Sequence, residues 1–134
     1  MVEPFLFIAP ARLPDRRDFT EPVTDGDTLW LQLDRHDRSK QDVSLRLENV
    51  HAPDKEDGPT RDAAKGWVQA WVFSHASSGA KWPFLVQTVR IRDESHEIMT
   101  LGRYVARVWC RECGAVLNDE AEAWYRQQGW PLGR

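Results

Sequence analysis

Val23-Thr24-Asp25-Gly26-Asp27-Thr28-Leu29 and, beyond a polar stretch, Leu45-Arg46-Leu47-Glu48-Asn49-Val50-His51-Ala52-Pro53-Asp54 are the two segments from which the architecture can be read. In the first, two aspartates flank a turn glycine, and the chain then alternates: Thr28, Trp30 and Gln32 on one side, Leu29, Leu31 and Leu33 on the other. That period of two is the pattern of a half-buried β-strand. Val43, Leu45 and Leu47 repeat it, so the two strands are expected to pair as a hairpin. The intervening residues 34–42 are strongly polar and are expected to form a protruding, mobile loop.

Working outward, residues 2–13 read as a first strand containing Pro10, and the charged residues 14–18 break its pattern. Gly58-Pro59-Thr60 opens a helix with Thr60 as its cap; Ala63, Ala64, Trp67, Val68, Trp71 and Val72 recur at helical spacing, and Ser77-Ser78-Gly79 ends it. Residues 84–91 and 102–109 are strands, joined by the acidic residues 92–97. A last helix takes Asn118 as N-cap, sets Asp119, Glu120 and Glu122 against the helix dipole, and stops at Gly129. The sum is an α+β, mainly β chain: a five-stranded Greek-key barrel of the oligonucleotide/oligosaccharide-binding (OB) type, with a helix after strand three and a C-terminal helix. A single domain is expected over residues 1–134, with flexible ends near 1–4 and 130–134.

An apolar share of 41% with 29% charged residues is the composition of a globular domain. Phe5-Leu6-Phe7-Ile8-Ala9 is far too short to span a membrane and has no basic segment before it, so a cytoplasmic protein without membrane partners is expected. The net charge of −3 excludes a generally basic nucleic-acid binder, since such proteins draw on clustered lysine and arginine. Any nucleic-acid site must be local. Cys110-Arg111-Glu112-Cys113-Gly114 has the spacing of half a tetrahedral zinc site, but no second Cys-x-x-Cys accompanies it. A reduced pair at a hairpin tip is the expected reading, ahead of zinc shared with a histidine or a second subunit, or a redox switch.

Together with Leu101-Gly102-Arg103-Tyr104, the two opening segments resemble the active site of the staphylococcal nuclease (thermonuclease-like) family, over residues 20–130. The resemblance implies a metal-dependent phosphodiesterase acting on DNA or RNA. It makes Arg46 and Arg103 the pair of arginines on the scissile phosphate, Asp54 the residue that directs the attacking water, Asp27 a metal ligand and Ala52 a donor through its carbonyl. Asp25 and Thr28 support the metal site. Asp54 stands where the family has glutamate and His51 where it has aspartate. The shorter side chain predicts slower chemistry, because a displacement of about 1 Å can cost about 10²-fold.

Calcium is the ion implied by the resemblance, but it prefers oxygen, and His51 in place of a carboxylate removes charge and hardness. Either calcium binds poorly, or manganese or another borderline ion takes its place, or His51 binds no metal and packs locally. Without the resemblance, aspartates beside a turn glycine are ordinary turn formers. Arg46 in an apolar strand could equally pair with Glu48 at the surface. A catalytically inactive member of the same fold, binding nucleic acid or a protein partner, is the competing expectation, and the oligomeric state cannot be read.

Overall fold

A computed structural model describes residues 8–14, 22–34, 40–53, 58–77, 79–88, 99–100 and 103–129. Alternation dictates the central hairpin: β3 (Thr28–Asp34) and β4 (Lys40–Leu47) pair antiparallel from Thr28 opposite Arg46 to Asp34 opposite Lys40. Leu29, Leu31, Leu33, Val43, Leu45 and Leu47 are all buried. The ladder runs further than the polar composition of residues 34–42 suggests, because the polar residues pair across it. Gln32 Nε2 donates to Asp42 Oδ1 at 3.1 Å, and Asp34 faces Lys40 as an opposite-charge cross-strand pair. A polar segment can therefore be strand where its partners lie directly opposite.

The remaining strands are β1 (Ile8–Arg12), β2 (Val23–Asp25), β5 (Phe84–Thr88), β6 (Met99–Thr100) and β7 (Arg103–Cys110). β4 pairs parallel with β7, β7 antiparallel with β5, and β5 antiparallel with β1. β1 then returns to β3 through Ala11 opposite Leu33 and Arg12 opposite Gln32. The mixed sheet thus comes back on itself, a mainly β, barrel-like arrangement with two helices. β2 and β6 are two short additions, on β3 and β7 respectively. A parallel β4–β7 pair cannot be made by a tight turn and needs a long crossover. Helix α1 (Gly58–Ala76) and β5 lie in that connection.

α1 buries Ala64, Val68, Trp71 and Val72, the stripe expected from its spacing, while Ala63 is exposed. The helix is already formed at Gly58, so Thr60 lies within it rather than capping it. Pro59 is tolerated there because first-turn N–H groups have no helical acceptor. Its end falls where the serines and Gly79 predict: Ser77 Oγ donates to the Ser74 carbonyl at 2.7 Å, and Gly79 has φ +89°.

Helix α2 (Leu117–Gln127) corrects the sequence reading. Val116 holds the cap position without a side-chain hydrogen bond, and Asn118 is inside the helix and buried. Its amide bridges the strands instead: Oδ1 accepts the Val108 N–H at 2.9 Å, and Nδ2 donates to the carbonyls of Glu48 and Ala106, both at 3.0 Å.

Four of the tryptophans settle into pairs. Trp67 stacks on Trp124 at 5.6 Å, joining the two helices, and Trp71 stacks on Phe84 at 6.1 Å. Trp82 lies under the guanidinium of Arg12 at 4.3 Å, while Trp30 and Trp109 are only half-buried. Among the described residues no helix is long and apolar enough to cross a membrane. The expected start of the first strand, the tip of the 34–42 loop, the end of the strand at 84–91, the acidic connection and both chain ends lie outside the described residues.

Candidate functional site

The two aspartates sit at the β2–β3 hairpin, where Asp25 opposes Thr28 and Gly26-Asp27 is the turn. The glycine is required here by space. A Cβ on Gly26 would lie 2.7 Å from the Tyr125 hydroxyl, 2.9 Å from Ala64 Cβ and 3.0 Å from Ala52 Cβ. The turn is therefore pressed between α1, α2 and the segment after β4. Tyr125 clamps it by donating to the Gly26 carbonyl at 2.7 Å. Burial, with the Asp27, Asp25 and Glu122 carboxylates nearby, pushes that phenol well above its ordinary range, so it remains a donor.

Within the turn, the Asp27 N–H donates to Asp25 Oδ1 at 3.2 Å and Thr28 Oγ1 donates to Asp27 Oδ1 at 2.9 Å. Asp27 is the more confined carboxylate. Burial first, then hydrogen bonding to and repulsion from Asp25, push its pKa up to about 6, with Arg46 and Thr28 opposing. For Asp25, burial also works upward, but hydrogen bonds from Asp27 and Thr28 and the charge of Arg61 outweigh it and hold the carboxyl below the usual range. At neutral pH the turn carries a concentrated negative charge.

Arg46 projects beside it. The β3–β4 register sets Arg46 opposite Thr28, and its Nη2 lies 3.6 Å from Asp27 Oδ2, too long for a good hydrogen bond. Among the described residues, its Nε is buried without a hydrogen-bond partner, and so is Nε of Arg61 on α1. A buried guanidinium N–H left unpaired is costly, and such orphans are uncommon in folded proteins. Among the described residues, Arg46 pairs with Asp27 and not with Glu48.

The other expected site residues divide. Ala52 packs on the turn glycine between the aspartates. His51 turns to α2: its backbone N–H donates to Glu122 Oε1 at 2.8 Å and its ring Nδ1 lies 3.2 Å from Glu122 Oε2. Among the described residues, the aspartates and His51 do not form a three-ligand cluster. Glu122 also takes Arg126 at 2.9 Å. Burial raises its carboxyl, but the His51 hydrogen bonds and the charges of His51 and Arg126 bring it below the usual range. Arg103 begins β7 opposite Ser44, two residues before Val105, the partner of Arg46. Asp54, with Glu56 and Asp57, lies outside the described residues.

Arg61, Glu122 and Tyr125 escaped the sequence reading as site residues. Glu122 has the form of a helix-dipole acid and Tyr125 that of a core aromatic, and only the tertiary arrangement brings them to the turn. No family model, curated protein or solved structure matches the chain.

Proposed function

We propose that the chain is a metal-dependent phosphodiesterase that hydrolyses DNA or RNA at the notch between the Asp25-Gly26-Asp27 turn and Arg46. The observation that carries this reading is the pair of unmet demands at one place: a guanidinium whose buried Nε has no partner among the described residues, beside a carboxyl whose pKa its surroundings raise. An anion would complete the arginine and a cation would relieve the aspartates. A phosphodiester with a divalent metal supplies both. Counting β2 with β3 and β6 with β7, the pairing order β1-β3-β4-β7-β5-β1 supports the OB-type reading that the resemblance to thermonucleases implies.

Asp27, Asp25 and the Ala52 carbonyl are hard oxygen donors and fit a calcium or manganese ion. Among the described residues His51 forms no ligand cluster with the aspartates, so the donor set at the turn is all oxygen, which favours the oxygen-seeking ions over zinc. When bound, the cation supplies positive charge to phosphoryl oxygens as they become more negative in hydrolysis. Arg46 is the residue of this chain that binds and orients the phosphate, its planar fork suited to two oxygens at once. Arg103 is the second arginine and Asp54 the residue that directs water, both by the resemblance. Asp54 makes the enzyme a slow one.

The test is cleavage of labelled single-stranded DNA and RNA with added calcium, manganese or zinc. Wild-type protein should cleave with calcium or manganese, and Arg46→Ala should lower the rate by about 10²-fold or more, the typical cost of removing one preorganised charge-stabilising donor. Cleavage undiminished in Arg46→Ala would sink the assignment. The engagement of His51 by Glu122 favours a second reading, a binding module that uses the same notch without chemistry. Retention of oligonucleotide with no cleavage in any metal would decide for it.

A further inference from the structure

At the end of α1 away from the acid turn, three potential ligands meet. His75 is in the last turn of α1, Cys110 ends β7 and Cys113 is in the turn that follows. One ligand atom from each lies within 4.8 Å of the other two, the only such trio of His, Cys, Asp or Glu among the described residues. Both cysteines are free thiols, Cys110 buried and Cys113 exposed. We infer that His75, Cys110 and Cys113 form a zinc site that fastens the C-terminal end of α1 to the β7–α2 turn, with a fourth position open to solvent on the Cys113 side.

The local backbone is shaped for this. Cys110 and Cys113 bracket a tight turn in which the Gly114 N–H donates to the Cys110 carbonyl at 2.9 Å and Gly114 has φ +80°, a conformation that favours glycine. The Cys113 N–H points at Cys110 Sγ, 3.4 Å away, so a backbone donor supports the sulfur that would carry thiolate charge. The turn is held in place on both sides. The Cys110 N–H donates to the Ala115 carbonyl and the Arg111 N–H to the Pro83 carbonyl, each at 2.8 Å.

The histidine is oriented as a metal ligand usually is. Its Nδ1 lies 2.9 Å from the Trp71 carbonyl, and its ring stacks on Trp71 at 3.9 Å. A carbonyl only accepts, so Nδ1 carries the proton and Nε2 keeps the lone pair that binds a metal. Two sulfurs and one imidazole are a donor set that selects zinc over calcium or magnesium. A simple thiol pair at a hairpin tip has no use for the third donor. Zinc shared with a histidine, the alternative left open by the sequence, is thus proposed in place of the reduced pair expected there. By helix rise, His75 stands about 16 Å along α1 from Ala64, which packs on the acid turn, so the two sites are separate.

Elemental analysis of the purified chain should find zinc in equimolar amount, removed by a strong chelator with a fall in melting temperature. Cobalt added to the stripped protein should give the visible bands of tetrahedral cobalt and thiolate-to-cobalt charge transfer. Cys113→Ser, at an exposed position, should fold, weaken the charge-transfer band and lose zinc. His75→Gln should lose zinc and the tetrahedral visible bands, while Asp27→Asn should keep both. Absence of zinc and of cobalt bands in a folded protein with titratable thiols would overturn the site, as would recovery of Cys110 and Cys113 as a disulfide in protein purified without added oxidant. Neither result bears on cleavage at Arg46, so the two proposals fail independently.

Discussion

Asn118 and Arg46 serve the same stretch of sheet and are treated in opposite ways. Asn118, buried on α2, has its carbonyl oxygen and its amide nitrogen satisfied by the backbone of Glu48, Ala106 and Val108. Arg46, two residues before Glu48, keeps a buried Nε without a partner among the described residues and lies 3.6 Å from the carboxylate of Asp27. A polar group used for architecture is completed by the fold. One left incomplete marks a place where something from outside is expected, because the fold alone gives no return for the desolvation.

The comparison is broken most directly by removing Asn118. Asn118→Ala leaves the Val108 N–H and two carbonyls without their buried partner and should cost about 3 kcal/mol in urea unfolding, since each buried hydrogen bond is worth about 1 kcal/mol. Arg46→Ala, expected to slow cleavage by about 10²-fold or more, should change stability by less than about 1 kcal/mol, as for a partly exposed ion pair. If Asn118→Ala cost less than Arg46→Ala, the division between architectural and functional polar groups would be wrong. A step down in size, Gly26→Ala forces a methyl against Tyr125, Ala64 and Ala52 and should cost about 2 kcal/mol by overpacking. Tyr125→Phe relieves the tightest of these contacts, so the double variant should cost less than the sum of the single ones. Strict additivity would show that the turn moves freely and is not clamped.

Much of this was legible in the chain. Alternation of leucines and valines gave the central hairpin, the helical spacing of Ala64, Val68, Trp71 and Val72 gave the buried face of α1, and the Asp25-Gly26-Asp27 run marked the turn. Other features depend on residues distant in sequence. Asn118 looks like a helix cap because local rules favour that use, and its true partners, just past the end of β4 and on β7, become neighbours only when the parallel pair forms. Gly26 reads as a turn former but is fixed by three side chains from three other segments. His51 stands where the resemblance expects a metal-binding aspartate, and Glu122 of the last helix engages it instead. The Cys110–Cys113 spacing shows two donors, and the third, His75, arrives on the other side of β5. Local patterns thus identified the elements, and tertiary neighbours decided the roles.

The subtlest effect should come from Asp27 itself. Its carboxyl is raised from 3.8 to about 6, so the folded protein holds this proton more tightly than the unfolded chain does. The stability contributed is therefore fully present below the unfolded value and is lost as pH rises through about 6; above that, the ionised side chain burdens the fold. Asp25 shifts in the opposite direction, so its contribution is present above its unfolded value and is lost on acidification, which offsets part of the effect. Asp27→Asn keeps the acceptor for Thr28 but removes the charge. In metal-free buffer it should raise stability at pH 8 by about 1 kcal/mol, well under the full value of a two-unit shift because Arg46 also loses its anion. The gain should shrink between pH 6 and 4 and be absent at pH 3.5. A gain independent of pH would mean that packing rather than charge limits the turn. A loss at pH 8 would mean that Arg46 already neutralises Asp27, leaving no unmet demand for a cation.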